Sequence, residues 1–314
     1  STLAPPINFN LVETQFSSKH NKITHYLKLF LKGKANRRRI FNYKKALAFN
    51  SILKELKTKT PQIAYIEFGF NAVLVREALV KLNIPFVVTF HGKDASQDFS
   101  DLIYVEEIQK VFRDASKIIA VSHHIKRRLV LQGCEDEKIK VIYNTINFQF
   151  RDLNFSNKSS ETIIFVGRLV EKKNPIALIH SFSIVKKIIK DAKLIIVGDG
   201  PLFNDCVNLV KKLNLIDSVV FKGLIENKEV FKLLAKSNIY AQHSITSSRG
   251  DQEGFPITLL EAQALGLPVV ATIHNGFLES VEEGKSGFLV PEFDYEKMAE
   301  KLVYLLKNKE FADK

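Results

Sequence analysis

Two glutamates, Glu253 and Glu261, stand eight residues apart in "GDQEGFPITLLEAQALGLPVV" (250–270). A Gly-Phe-Pro turn follows the first, and an apolar helical pattern carries the second. Pro256 near the first turn fixes φ where a helix begins. Gly254 leaves room for a ligand to approach the backbone. Such a helix start presents unpaired N–H groups and a partial positive charge, which suit a phosphate. Eight residues span at most roughly 12 Å of helix. That is a poor distance for a glycosidase pair, whose carboxyls lie ~5–5.5 Å or ~6.5–9.5 Å apart. It does let two acids hold opposite ends of an elongated nucleotide sugar. The bland alternative is an N-terminal acid stabilising the helix dipole, with a core glutamate paired to a lysine, because an unpaired buried carboxylate is costly. Spacing alone does not choose between them.

Other loops carry chemistry of their own. After the apolar run "TIIFVG" comes "GRLVEKKN", with Arg168 and Lys173 five residues apart. Arg offers a planar fork and Lys a mobile point charge, so the pair can converge on one anion; the alternative is a solvated basic loop. "LIIVGDGPL" places Gly198 and Gly200 as in a dinucleotide fingerprint, but Pro201 and Phe203 break the pattern. A tight turn close to a ligand fits better. "VVTFHGKDAS" ends a run with His91 and Asp94, and "IEFGF" ends another with Glu67 and Gly69. A histidine at a strand end binds a ligand, moves a proton or is simply structural. Ser122 reads as a helix N-cap before His123 and His124, which lack further ligands at metal spacing. There is no Asp-x-Asp pair, so no divalent metal and no other cofactor is expected; Arg168 and Lys173 supply the charge.

These loops need elements to position them. Candidate strands are 63–68, 86–90, 117–122, 140–144, 162–167, 193–198, 219–223, 239–244 and 268–272. Most are continuous apolar runs, as in parallel strands buried on both faces. Helical patterns such as 175–190 and 227–237 lie between them. Alternating β and α elements predict an α/β fold with parallel sheets. The polar segment 151–161 separates two such series, which predicts two doubly wound, Rossmann-like domains, 1–153 and 154–314, facing across a cleft. Ligands bind beyond the carboxyl ends of such strands. The first domain looks short of its first strand. The chain opens "STLAPP" without a Met, which reads as a trimmed start.

At 314 residues and 46% apolar, the chain can bury two cores. No apolar run approaches the ~18–20 residues that cross a bilayer, and no signal peptide is evident. Cys134 and Cys206 lack metal or redox spacing and read as reduced thiols of a cytoplasmic protein. The net charge of +12 is uneven: residues 1–150 hold 24 Lys and Arg against 13 Asp and Glu, and residues 151–314 hold 22 against 21. Such asymmetry points to an anionic partner. Segment 25–47 mixes aromatics with Arg37, Arg38, Arg39, Lys44 and Lys45. It suits an anionic membrane surface at roughly 1 kcal/mol per basic residue, or else a solvated helix face. No nucleic-acid-binding motif is present.

"FVGRLVEKKN", "LIIVGDGPL", "DQEGFPITLLEAQALGLPVVAT" and "EEGKSGFLVPEFD", in this order across 162–295, resemble the C-terminal domain of retaining GT-B glycosyltransferases of family four. "FGFNAVLVREALVKLNIPFVVTFHGKDAS" extends the resemblance into the first domain, and "LVETQF" is a fainter echo. "TFHGKDAS" and "GDQEG" are similar to the colanic acid and amylovoran type of exopolysaccharide transferase. The resemblance implies a GT-B fold and retaining transfer of a hexose from a nucleotide-diphosphate sugar, a UDP-sugar first and GDP-mannose second. The acceptor it implies is a saccharide, and the basic segment 25–47 suits a lipid-linked one at the inner face of the plasma membrane. It also implies roles. Arg168 and Lys173 hold the diphosphate, and Glu261 bonds the ribose. Glu253, with the amides of Gly254, Phe255, Pro256 and Ile257 counted as far as each has one, holds the sugar and distal phosphate. Gly167, Gly198 and Gly200 wall the donor pocket, the base lies near the loop after 219–223, and His91 approaches from the acceptor side with Glu67, Gly69 and Asp94. Two departures stand out: some members carry His where this chain has Glu67, and the last helix looks short. A nucleotide-sugar epimerase and a non-catalytic GT-B module are the competing readings.

Overall fold

In the computed structural model, which describes residues 34–146 and 161–308, every strand pair is parallel. The N-terminal series runs α1 (Lys34–Lys59), β1 (Ala64–Glu67), α2 (Gly69–Lys81), β2 (Phe86–Phe90), α3 (Leu102–Asp114), β3 (Lys117–Ala120), α4 (His123–Leu131) and β4 (Ile139–Val141). Its sheet has the order β1-β2-β3-β4. The C-terminal series runs β5 (Thr162–Val166), α5 (Pro175–Ile188), β6 (Lys193–Val197), α6 (Phe203–Lys212), β7 (Val219–Gly223), α7 (Asn227–Lys236) and β8 (Ile239–Gln242). It continues with α8 (Ile257–Ala264), β9 (Val269–Thr272), α9 (Phe277–Ser280), β10 (Gly287–Val290) and α10 (Tyr295–Lys307).

The second sheet has the order β10-β9-β8-β5-β6-β7. Growth reverses between β5 and β8, and the loops leaving these two strands part there to form a crevice. Both faces of this sheet are buried. Ile163 and Phe165 of β5 join one core with Leu178 of α5 and Leu302 of α10. Ile164, one residue away, joins another with Leu234 of α7 and Leu259 of α8. Adjacent strand residues point to opposite faces, so a strand covered twice must be apolar throughout. That is why β5 and β6 stand out in the sequence.

Local chemistry sets the helix starts. The Ser122 hydroxyl accepts the Ile125 N–H at 3.2 Å, as expected of an N-cap. Asp101 does the same for Ile103 at 3.0 Å. Asn174, held at φ 40°, accepts from Ala177 and leads into Pro175 at the first position of α5.

Three differences from the sequence reading are physical. Strand β10, "GFLV", was not foreseen; it is four residues at a sheet edge, where no long apolar run is needed. The N-terminal sheet shows no reversal of order among the described residues. The basic segment turns much of its charge inward: Arg37 pairs with Asp101 at 2.9 Å, Arg38 with Glu106, and the buried Lys45 with Glu77 and Glu107, each at 2.6 Å. Arg39 and Lys44 stay exposed. The 153/154 boundary, "LVETQF" and the residues before 34 lie outside the described residues. No helix among the described residues is long and apolar enough to cross a membrane.

Candidate functional site

The loops after β5, β6, β8 and β9 meet at the reversal. Gly198, at φ 122°, lies so close to the β5 loop that a Cβ there would stand 2.1 Å from the Gly167 carbonyl oxygen; only glycine allows this contact. Gly167 and Gly200 belong to the same stack, the latter against Leu169. Arg168 points out to solvent. Lys173 instead reaches the loop after β8, with its Nζ 3.1 Å from Glu253 Oε1. Lys172, which sequence reasoning passed over, pairs with Asp251 at 3.1 Å.

Glu253 is 7% exposed. Burial pushes its carboxyl up, but Lys173 and Lys172 outweigh burial and hold it below its ordinary value. Although Lys173 is close enough for an ion pair, it lies off the directions a hydrogen bond needs, and Oε1 has no hydrogen-bond partner. A buried acceptor oxygen in that state is poised for a hydroxyl donor. The backbone of Glu253 is held as well. Its N–H donates to His274 Nε2 at 3.2 Å, and Asn275 Nδ2 donates to the same nitrogen at 3.0 Å. Nε2 is therefore the unprotonated nitrogen, and Nδ1–H donates to Glu292 Oε1. Glu292 Oε2 accepts the Thr246 N–H at 3.1 Å, so one carboxylate braces both ends of the loop. His274 is 2% exposed. It stands two residues past β9, a strand-end position of the kind that carries function in this fold, yet its partner is 21 residues away in sequence.

Pro256 is the cap residue of α8, and no side chain caps this helix. Its first N–H groups thus remain a site for negative charge. Glu261 lies half-buried on the helix. Burial alone pushes its carboxyl up, and among the described residues no lysine pairs with it, so the core Glu–Lys pair considered from spacing is not formed. Both glutamates approach Tyr240: burial, then Glu253 and Glu261, hold its hydroxyl well above the usual phenol range. The charges of both acids are thus felt at one buried residue of β8.

The first domain closes over this loop. Gly254 sits where a Cβ would be 1.4 Å from the His91 carbonyl oxygen. Phe255 and Pro256 follow, and Phe255 packs into the N-terminal core and against Tyr143 at 4.9 Å, while Ile257 is exposed. Glu279 accepts the His123 and His124 N–H groups at 2.8 and 2.9 Å, so the second domain supplies charge to the start of α4. His91 Nε2 meets the Glu67 carboxylate, and its ring packs on Phe68 at 4.5 Å. Asp94 behaves otherwise than its acceptor-side placing suggested. It is fully buried and accepts the N–H groups of Gly69, His91 and Gly92 at 2.9, 3.1 and 3.0 Å. It ties the loops after β1 and β2 together, and Gly69, buried against Tyr104 and Phe90, is part of that tie.

This arrangement has relatives. Residues 147–314, more than half the chain, match the family described as "Glycosyl transferases group 1". The chain belongs to the group 1 glycosyl transferase family. Residues 20–150 match "Glycosyltransferase Family 4". The "Putative colanic acid biosynthesis glycosyltransferase WcaL" of Salmonella typhimurium is 34% identical over 237 residues, 74% of this chain and 58% of that protein. The amylovoran biosynthesis glycosyltransferase AmsK of Erwinia amylovora is 30% identical over 247 residues, 77% of this chain and 61% of that protein. This chain spans about three fifths of the length of these curated relatives. Anabaena HepE, solved in complex with UDP and glucose, superposes with a TM-score of 0.70 at 22% identity, over 83% of this chain and 73% of HepE. The group 1 glycosyl transferase has the GT-B fold, with two parallel-sheet domains. Among its described residues no three His, Cys, Asp or Glu side chains cluster as a metal site would require.

Proposed function

We propose that this chain is a retaining hexosyltransferase that takes a sugar from a nucleotide diphosphate, a UDP-sugar first and GDP-mannose second. The acceptor is a saccharide, lipid-linked, used in surface polysaccharide synthesis. One observation carries the reading: two carboxylates, Glu253 held only by its ion pair with Lys173 and Glu261 with no ion pair among the described residues, flank an uncapped helix start at the reversal of the sheet. The diphosphate lies against the first N–H groups of α8, with Arg168 and Lys173 on its other side. Glu261 takes the ribose hydroxyls, and Glu253 Oε1 takes a sugar hydroxyl. HepE, similar in fold, binds UDP and UDP-glucose, and the names of WcaL and AmsK refer to exopolysaccharides.

In the reaction the bond from sugar C1 to the phosphate oxygen breaks, and the oxygen keeps the electron pair. The acceptor hydroxyl attacks C1 from the same face, and its proton passes to the departing phosphate. Positive charge from Arg168, Lys173 and the α8 amides meets the negative charge that develops. One such contact is worth about 3–4 kcal/mol in the transition state. No metal takes part. His91, oriented by Glu67 and Phe68, borders the donor sugar from the acceptor side. The exposed Arg39 and Lys44 of α1 favour a position against the anionic inner face of the plasma membrane.

The test follows release of nucleoside diphosphate from UDP-hexoses and GDP-mannose with saccharide acceptors. Arg168→Ala should cut turnover at least a hundredfold without loss of folding, because Arg168 is exposed. Unchanged turnover in that variant would remove the assignment.

A further inference from the structure

A cavity of about 370 Å³ opens in the first domain, within the range of small-ligand sites. Phe41 of α1, Phe70 of α2 and Tyr104 of α3 give it aromatic walls. The Tyr104 hydroxyl is already spent on the Asp94 carbonyl at 2.7 Å, so it offers only its ring. Lys93 and Asp98 form a second wall and pair at 3.1 Å; Arg37 and Asp101 form a third and pair at 2.9 Å. The two cations and two acids cancel. Such a cavity has no net draw on a phosphate, but its walls hold donors and acceptors side by side. That combination matches sugar hydroxyls, each of which donates and accepts, while the rings match the apolar faces of a sugar.

Packed rings connect the cavity wall to the proposed reaction centre. Phe70 stacks on Phe68 at 5.3 Å, and Phe68 packs on His91. The backbone of His91 lies against Gly254, next to Glu253. Phe68 and Phe70 are 37% and 42% exposed. Burial pushes the Asp98 carboxyl up against the opposing effect of Lys93, and both Asp94 and Asp251 add to the rise. Asp251 belongs to the loop after β8, so that loop lies near enough for its charge to be felt at Asp98.

We propose that this cavity holds the neutral terminal sugar of the acceptor, with its ring on Phe70 and Phe41 and its hydroxyls across the Lys93–Asp98 and Arg37–Asp101 pairs. The phosphate of a lipid carrier then lies outside it. The inference rests on the transferase reading, because it names the acceptor end of that site, but its test does not need turnover.

The chain contains no tryptophan, so Phe70→Trp introduces a single reporter at an exposed ring. Titration of that variant with methyl β-D-glucopyranoside and methyl β-D-galactopyranoside should give a saturable emission change with at least one of them, and none with pyrophosphate. Adding Asp101→Asn should weaken the response about tenfold, since Asn still caps α3 but no longer balances Arg37. Saturation-transfer NMR on the unaltered chain with the same glycosides guards against an effect of the new ring. No binding in either measurement, a response to pyrophosphate, or a glycoside response untouched by Asp101→Asn would overturn the inference. Glycoside binding in a chain that transfers no sugar from any donor would overturn the transferase reading and leave standing only the cavity's affinity for a neutral sugar.

Discussion

Removing His274 separates support of the Glu253 loop from general stability. Its Nε2 accepts the Glu253 N–H, and its Nδ1–H donates to Glu292. His274→Gln places an acceptor oxygen near the old Nε2 and loses the donor. His274→Asn places a donor nitrogen near the old Nδ1 and leaves the Glu253 N–H without a partner. Glu253 is 7% exposed, so an orphaned N–H there costs about 1–3 kcal/mol. That corresponds to roughly 5- to 150-fold in binding wherever the ligand needs the loop in place. Calorimetric titration with UDP-glucose and with UDP reads the effect. The Asn variant should lose far more affinity for UDP-glucose than the Gln variant, and the loss should exceed that for UDP, which lacks the sugar Glu253 holds. A purely structural role would shift thermal stability and weaken both ligands alike. Equal titrations for Asn, Gln and wild type would refute the reasoning.

Three further outcomes follow from the same geometry. Lys173→Met leaves a buried carboxylate opposed chiefly by Lys172 and should cost about 3–5 kcal/mol at neutral pH. In the wild type Glu253 is held low, so its contribution is present at neutral pH and fades as pH falls through its folded pKa. In the variant burial pushes it up and the sign reverses, so denaturation at pH 5 and 7.5 should show the stability loss shrinking at the lower pH; an unchanged slope would contradict this. Glu261 is raised by burial, so it binds a proton more readily folded than unfolded and its charge costs stability as pH rises through the glutamate range. Glu261→Gln should therefore raise the melting temperature at pH 7.5, leave it unchanged at pH 4, and weaken UDP binding; a lower melting temperature at pH 7.5 would sink the idea. Gly254→Ala cannot fit its Cβ beside the His91 carbonyl, so the domains must separate: scattering should show a larger radius of gyration and turnover should vanish, whereas wild-type values of both would show that the contact is not needed.

Much of this was legible in the sequence for a simple reason. Strands such as β5 and β6 are covered on both faces, and that demands an unbroken apolar run. Loops that follow such strands collect at one end of a sheet, so Arg168, Lys173, Glu253 and His91 could be picked out by position. What lay hidden depends on contacts between elements. His274 reaches Glu253 only because β9 lies beside β8, and Glu292 joins them from the loop after β10. Asp94 was visible as an acid at a strand end, but not its direction: three backbone N–H groups turn it inward. The basic run in α1 looked like a surface feature, and the acids of α2, of α3 and of the α3 N-cap that absorb Arg37, Arg38 and Lys45 lie 32 to 68 residues away in sequence.

The central claim is that the donor lies in the crevice between the loops of β5 and β8. A crystal structure of the full chain with UDP-glucose tests it most directly. The diphosphate should lie against the first amides of α8 and Arg168, with the ribose hydroxyls on Glu261 and a glucose hydroxyl on Glu253 Oε1. A nucleotide bound elsewhere, or one in this crevice touching neither glutamate, would contradict the account.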